Sequence, residues 1–171
     1  MTADTAKEIT QAPQTYNDWL DCFDVLQHKN VTKDELKLLG MGRCTASRES
    51  VEFLEKQLIK TLNVMIKRYI KAFNKDLQMH MLYNEYDDLY RLFSGLAARF
   101  NGCLFFTGLG FLGTEFRREL RDSVVCEIRR FWDSMIASLY AQCIEHNDRS
   151  LEDVLYMMKR ITLFKGQEIY S

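Results

Sequence analysis

The sequence predicts an all-α protein, a helical bundle with two long helices as its spine. Three observations predict it. Apolar residues recur every three or four positions over long stretches, the spacing of one helix face. One proline, Pro13, and eight glycines punctuate 171 residues, too few turns for a sandwich or barrel of short strands. Apolar side chains make up 47% of the chain, enough to fill a core and to exclude global disorder.

The elements follow in order. Residues 1–14 are polar and lack the apolar run of a signal peptide, so they are expected to form a flexible N-terminal tail, with 15–171 as a single helical domain. Trp19, Leu20, Phe23 and Leu26 give a helix from Tyr16 to Gln27, capped by Thr15 or Asn17, with Asp18 in its first turn. Thr32 caps a short helix with Asp34 and Glu35 in its first turn and Gly40 just past its end. Val51, Leu54, Leu58, Leu62, Met65, Tyr69 and Phe73 then mark a long helix over about 47–77, capped by Thr45 or Ser47. A middle helix over about 82–100 carries Tyr86, Leu89, Phe93, Leu96 and Ala97, and the boundary near Met79 to Met81 also fits one kinked helix. Asn101 to Gly113 breaks the pattern with four glycines and a strand-like run from Leu104 to Phe106. The second long helix covers about 114–146 through Phe116, Leu120, Val124, Ile128, Phe131, Met135 and Leu139, and Asn147 and Asp148 end it. Ser150, with Asp153 three residues on, opens a last helix that ends near Phe164.

Several function classes lose ground at once. The most apolar stretch, Leu96 to Leu112, holds Arg99, Asn101 and several glycines, and is shorter than the about 20 apolar residues of a spanning helix. Five cysteines (22, 44, 103, 126 and 143) show no C-x-x-C spacing and an odd count, which points to a reducing, cytoplasmic setting. Cys126 and Cys143 sit among apolar residues and read as small hydrophobes. His28, His80 and His146 lie far apart, and no E-x-x-H pair offers the ligand spacing of a di-iron bundle. No catalytic residue, metal or cofactor is therefore expected.

Gly108-Leu109-Gly110-Phe111-Leu112-Gly113 matches the G-x-G-x-x-G pattern of dinucleotide-binding turns. The parallel strands and the acidic residue about 20 positions on that this chemistry needs are missing. The segment 102–113 is kept as a third reading, a small-ligand or enzyme pocket. Otherwise it is a tight apolar connection, whose Phe105, Phe106 and Phe111 fill the core or form an apolar contact patch.

Charge placement says more than the net charge of −1. Residues 56–75 hold six basic side chains and no acidic one: Lys56, Lys60, Lys67, Arg68, Lys71 and Lys75. Their four-residue spacings make a ridge along one helix, and Arg117, Arg121 and Arg129 suggest a second. Such ridges either are solvated and paired with the acidic stretches 16–35 and 85–88, or meet an acidic protein or a phosphate backbone. Tyr69 and Trp132 are candidates for base stacking and equally fit the core pattern.

Thr32 to Phe53 reads TKDELKLLGMGRCTASRESVEF. With a short helix, the turn Gly40-Met41-Gly42 and a polar following segment, it resembles the helix-turn-helix motif of bacterial DNA-binding regulators. The resemblance implies that Arg43, Thr45, Ser47 and Arg48 begin a recognition helix and read base edges. Leu36 and Glu49 depart from the motif, which wants a small and an apolar residue there.

The leading expectation is a non-enzymatic interaction or regulatory protein that binds a partner protein through the basic ridge. A nucleic-acid-binding regulator is the alternative. Eight methionines and eleven phenylalanines are also compatible with a homo-oligomer seam.

Overall fold

The computed structural model describes residues 7–161, 163 and 164. Among them the chain is helical and contains no strand. The elements are α1 (Tyr16–His28), α2 (Lys33–Gly40), α3 (Arg48–Leu82), α4 (Leu89–Phe105), α5 (Thr114–His146) and α6 (Arg149–Met158), with one 3-10 turn at Phe106–Gly108. The all-α class and both long helices are as the periodicity predicts. The chain divides into two compact units. The first comprises Met1–Lys67 with Phe105–Asp122, the second Arg68–Leu104 with Ser123–Ser171. Helices α3 and α5 each give their N-terminal part to the first unit and the remainder to the second.

In the first unit, α1 buries Trp19, Cys22, Phe23 and Leu26, and α3 buries Leu54, Leu58 and Leu62. Each fully buried side chain of this size contributes about 2 kcal/mol of transfer free energy. Trp19 packs on Phe111 at 4.7 Å and on Phe23 at 5.9 Å between ring centroids. Gln27 donates to the buried Thr61 hydroxyl at 3.3 Å, tying α1 to α3. Both α1 and α2 start in a capping box, Thr15 with Asp18 and Thr32 with Glu35.

From Lys7 to Gln14 the expected loose tail is instead packed. Ile9 and Pro13 are buried. The Ile9 amide donates to Glu35 Oε2 at 3.0 Å, and the Pro13 carbonyl accepts from the Arg43 amide at 2.8 Å. Residues 1–6 of that expected tail lie outside the described residues.

The second unit is built on edge-to-face aromatics. Phe73 meets Phe93 at 4.9 Å and Phe131 at 6.2 Å. Phe93 meets Trp132 at 5.5 Å, and Phe100 meets Phe131 at 6.2 Å. Here the boundaries correct the expectation. Helix α3 runs on to Leu82 and α4 begins at Leu89, so the two are separate helices as expected but with later boundaries, and Asn84 turns the chain between them at φ 54°. The run Leu104 to Phe106, read as strand-like, is helical. The buried stripe of α4 continues without a change of period through Phe100, Cys103 and Leu104. Asn147 leaves α5 at φ 50°, and Asp148, not Ser150, caps α6 by accepting from the Leu151 amide at 3.2 Å. That helix ends at Met158, short of Phe164.

The cysteines are free thiols. Burial pushes Cys22 up to about 11 and Cys103 up to about 12, so both stay protonated and inert near neutral pH. Cys126, expected among apolar neighbours, is exposed on α5.

Candidate partner-binding face

The basic stretch of α3 follows from its sequence spacing. Lys56, Lys60, Lys67, Lys71 and Lys75 are separated by four or seven residues, which returns each to the same side of the helix. Every one of the five is exposed. None makes an ion pair among the described residues, so the acidic stretches 16–35 and 85–88 do not neutralise them there. Lys56, Lys60 and Lys67 belong to the first unit, and Lys71 and Lys75 to the second. No acidic side chain falls between residues 56 and 75. At the N-terminal end of the row Phe53 is 45% exposed, one turn before Lys56.

Arg68 does not belong to this row. It is half-buried, with its guanidinium 5.7 Å from the centre of the Tyr69 ring. Tyr69 and Trp132 are both buried, so neither offers a face for base stacking.

The second ridge is not an open one. Arg117 and Arg121 are half-buried, and Arg117 Nη2 donates to the Thr114 hydroxyl at 3.3 Å. Arg129 is exposed but lies over the Phe164 ring at 5.5 Å.

The helix-turn-helix geometry is absent. Seven residues, Met41 to Ser47, separate α2 from α3, where the motif has a three- or four-residue turn. Arg43, Thr45 and Ser47 lie on that connector and not on a second helix; Arg48 alone begins α3, paired with Glu52 at 3.2 Å. The connector is pinned to the core. The Trp19 indole donates to the Arg43 carbonyl at 3.0 Å, and a Cβ on Gly42 would sit 2.6 Å from the Trp19 ring. Ser47 caps α3, accepting from the Ser50 amide at 3.2 Å.

The Gly108–Gly113 segment also differs from a phosphate turn. The Gly113 amide at the start of α5 donates to Glu55 Oε1 at 3.2 Å, so a carboxylate of the chain itself faces this helix N-terminus. Phe106 is wholly buried, and Phe105 and Phe111 are half-buried against Phe106 and Trp19. The three therefore do not form an open contact patch; they close the core of the first unit. Among the described residues no cluster of His, Cys, Asp or Glu is placed to hold a metal ion, and no helix is long and apolar enough to cross a membrane.

Sequence reasoning missed two features. Glu35, in the first turn of α2, is buried and serves as a junction for the N-terminal segment. A groove between the C-terminal half of α3 and α4 brings together charged side chains that no motif links, and its one sequence signal is a glycine inside a helical pattern, Gly95.

No family model, curated protein or solved structure matches this chain significantly.

Proposed function

We propose that the protein is a non-enzymatic helical interaction protein whose α3 lysine row docks an acidic surface of a partner protein. The observation that carries this reading is the row itself, five exposed lysines without ion pairs among the described residues and without an intervening acid. Such a row steers an oppositely charged partner and fixes its register more than it supplies raw affinity. Lysine is poor at interface centres, where aromatic side chains dominate. Phe53, exposed at the end of the row, supplies an apolar anchor.

A protein partner is favoured over nucleic acid by the charge around the row. The sequence pI is about 6.3, and residues 1–55 carry ten acidic against six basic side chains. A nucleic-acid-binding domain is typically basic as a whole, with pI above about 9. The loss of the helix-turn-helix geometry and the burial of Tyr69 and Trp132 weigh the same way.

The test is capture from nuclease-treated native extract. Wild type is expected to retain a reproducible protein partner, and the triple charge reversal Lys60→Glu, Lys67→Glu, Lys71→Glu is expected to lose it at unchanged helicity. Lys33→Glu, on α2, serves as the matched control and is expected to keep it. Retention by the triple variant, or loss of the captured material on nuclease treatment alone, would overturn the reading.

A further inference from the structure

The second unit contains a groove of about 340 Å³ between α3 and α4. Its lining is apolar at Phe73, Leu92 and Leu96 and includes the half-buried His80, whose Nδ1 is 3.1 Å from the Glu85 carbonyl oxygen. Its rim is charged with both signs: Asp76 on α3, Asp88 just before α4, and Arg91 and Arg99 on α4. These four are exposed, and none is in an ion pair among the described residues. Opposite charges that share a groove yet stand apart leave each free for a ligand group of the other sign. Arg99 is already oriented, its guanidinium 5.6 Å from the Tyr69 ring centre.

Gly95 supplies the second, independent observation. It lies in the middle of α4, where glycine disfavours the helix relative to alanine. Close helix packing is the usual reason for such a glycine, and that reason fails here: a Cβ built on Gly95 meets nothing within 4 Å. The space a side chain would fill is groove.

We propose that this groove binds a small zwitterion with an apolar body, of the size of an apolar amino acid or dipeptide. The ligand's ammonium faces the Asp76 and Asp88 carboxylates, and its carboxylate faces Arg91 and Arg99. Its apolar body lies on Phe73, Leu92 and Leu96, in the room that Gly95 leaves. A zwitterion satisfies both signs of the rim without adding net charge, whereas a simple anion or cation leaves one pair facing its own sign. A groove of this volume, apolar with a few orienting polar groups, is of the kind that holds small ligands. The proposal rests on the second unit and does not depend on the lysine row.

Calorimetric titration with L-leucyl-L-phenylalanine, and with L-phenylalanine as the smaller probe, tests it. Saturable binding of at least one is expected. N-acetylation, which removes the ammonium, and C-terminal amidation, which removes the carboxylate, should each weaken it at least tenfold. Gly95→Leu, whose Cβ meets nothing within 4 Å, puts a side chain into the groove and should abolish binding while the melting temperature stays at or above that of wild type. Arg99→Gln, a change at an exposed side chain, should weaken the zwitterion at least tenfold and keeps the test decisive should Gly95→Leu misfold. No heat from either probe, equal affinity for the blocked forms, or undiminished binding by folded Gly95→Leu or Arg99→Gln would overturn the proposal.

Discussion

Each unit carries one tryptophan, and the two are held by different chemistry. Trp19, in the first unit, is wholly buried; its indole donates to the Arg43 carbonyl, and the connector and N-terminal segment close over it through backbone and side-chain hydrogen bonds. Trp132, in the second, packs edge-on against Phe93, which in turn meets Phe73. Beside its own ring contacts, the first unit therefore closes irregular chain over a polar junction centred on Glu35, whereas the second closes helix on helix through rings. Irregular segments carry backbone amides that need partners, and a buried carboxylate supplies several at once. Helices satisfy their own amides and leave side-chain shape to decide the packing.

The largest effect expected from this contrast is in the aromatic cluster. Phe93 is fully buried and touches rings on two sides. Phe93→Ala should cost about 3–5 kcal/mol, since a cavity remains where two edge contacts were. Denaturant unfolding followed through Trp132 fluorescence in a Trp19→Phe background measures it. A loss below about 1 kcal/mol, against that range, would mean that the cluster collapses to refill the space and that the second unit is not held by ring shape.

The next effect belongs to Glu35. Its carboxylate accepts from the Ile9 amide at 3.0 Å and the Thr32 amide at 3.0 Å, and the Lys29 ammonium lies 2.7 Å from Oε1. Burial alone would raise its pKa, but the Lys29, Ile9 and Thr32 hydrogen bonds and the Lys29 charge together hold it below the ordinary carboxylate value. A depressed folded-state pKa contributes stability that is complete above the unfolded carboxyl's pKa and disappears as pH falls through the lower folded value. Glu35→Gln should cost about 2 kcal/mol at neutral pH, the worth of hydrogen bonds to a charged group. The Ile9 amide should exchange with solvent faster in this variant. The difference in stability between wild type and Glu35→Gln should shrink on acidification below the ordinary carboxylate range. A difference that stays constant with pH would remove the ionised carboxylate from the account and blur the contrast between the units.

The helices were legible because their signal is periodic. Leu54 to Phe73 repeats a three- or four-residue spacing many times, and the structure buries that same stripe. What stayed hidden is local or assembled. Ile9 and Pro13 are buried residues in a mostly polar stretch, too few to make a period, and the segment is held by distant partners, Glu35 for the Ile9 amide and the Arg43 amide for the Pro13 carbonyl. Glu35 itself reads as a first-turn acid, which is also what it is. Its second role as an acceptor for Ile9 spans 26 residues and leaves no local trace. Gly40 at the end of α2, Gly42 and the polar side chains after it carry a resemblance to a helix-turn-helix, from which Leu36 and Glu49 already depart. The indole of Trp19 against Gly42 decides otherwise. Exposure of the α3 lysines was open in the sequence, because spacing shows which side of a helix they share but not what stands opposite. The α3–α4 groove depends on side chains from two helices, and only Gly95 marks it within one.

The smallest effect concerns helix ends, and it separates a sequence expectation from the observed cap. Asp148 precedes α6, and its Oδ1 accepts from the Leu151 amide at 3.2 Å, while its carboxylate also faces the positive end of the helix dipole. Asp148→Ala should cost about 1 kcal/mol, the usual worth of an N-cap. Ser150 stands inside the first turn, exposed, where its hydroxyl has no orphan amide ahead of it to satisfy. Ser150→Ala should accordingly change stability by less than about 0.5 kcal/mol, as at an ordinary surface position. In the first unit Thr15 is the matching cap, with Asp18 N donating to its hydroxyl at 3.2 Å and its own amide donating to Asp18 Oδ2 at 3.1 Å. Thr15→Ala breaks one half of a reciprocal pair and should also cost about 1 kcal/mol. Segment-resolved hydrogen exchange reads both, because each loss should appear first in the amides of the helix it caps. Equal losses from Asp148→Ala and Ser150→Ala would shift the start of α6 by two residues and restore the capping box that the sequence suggests.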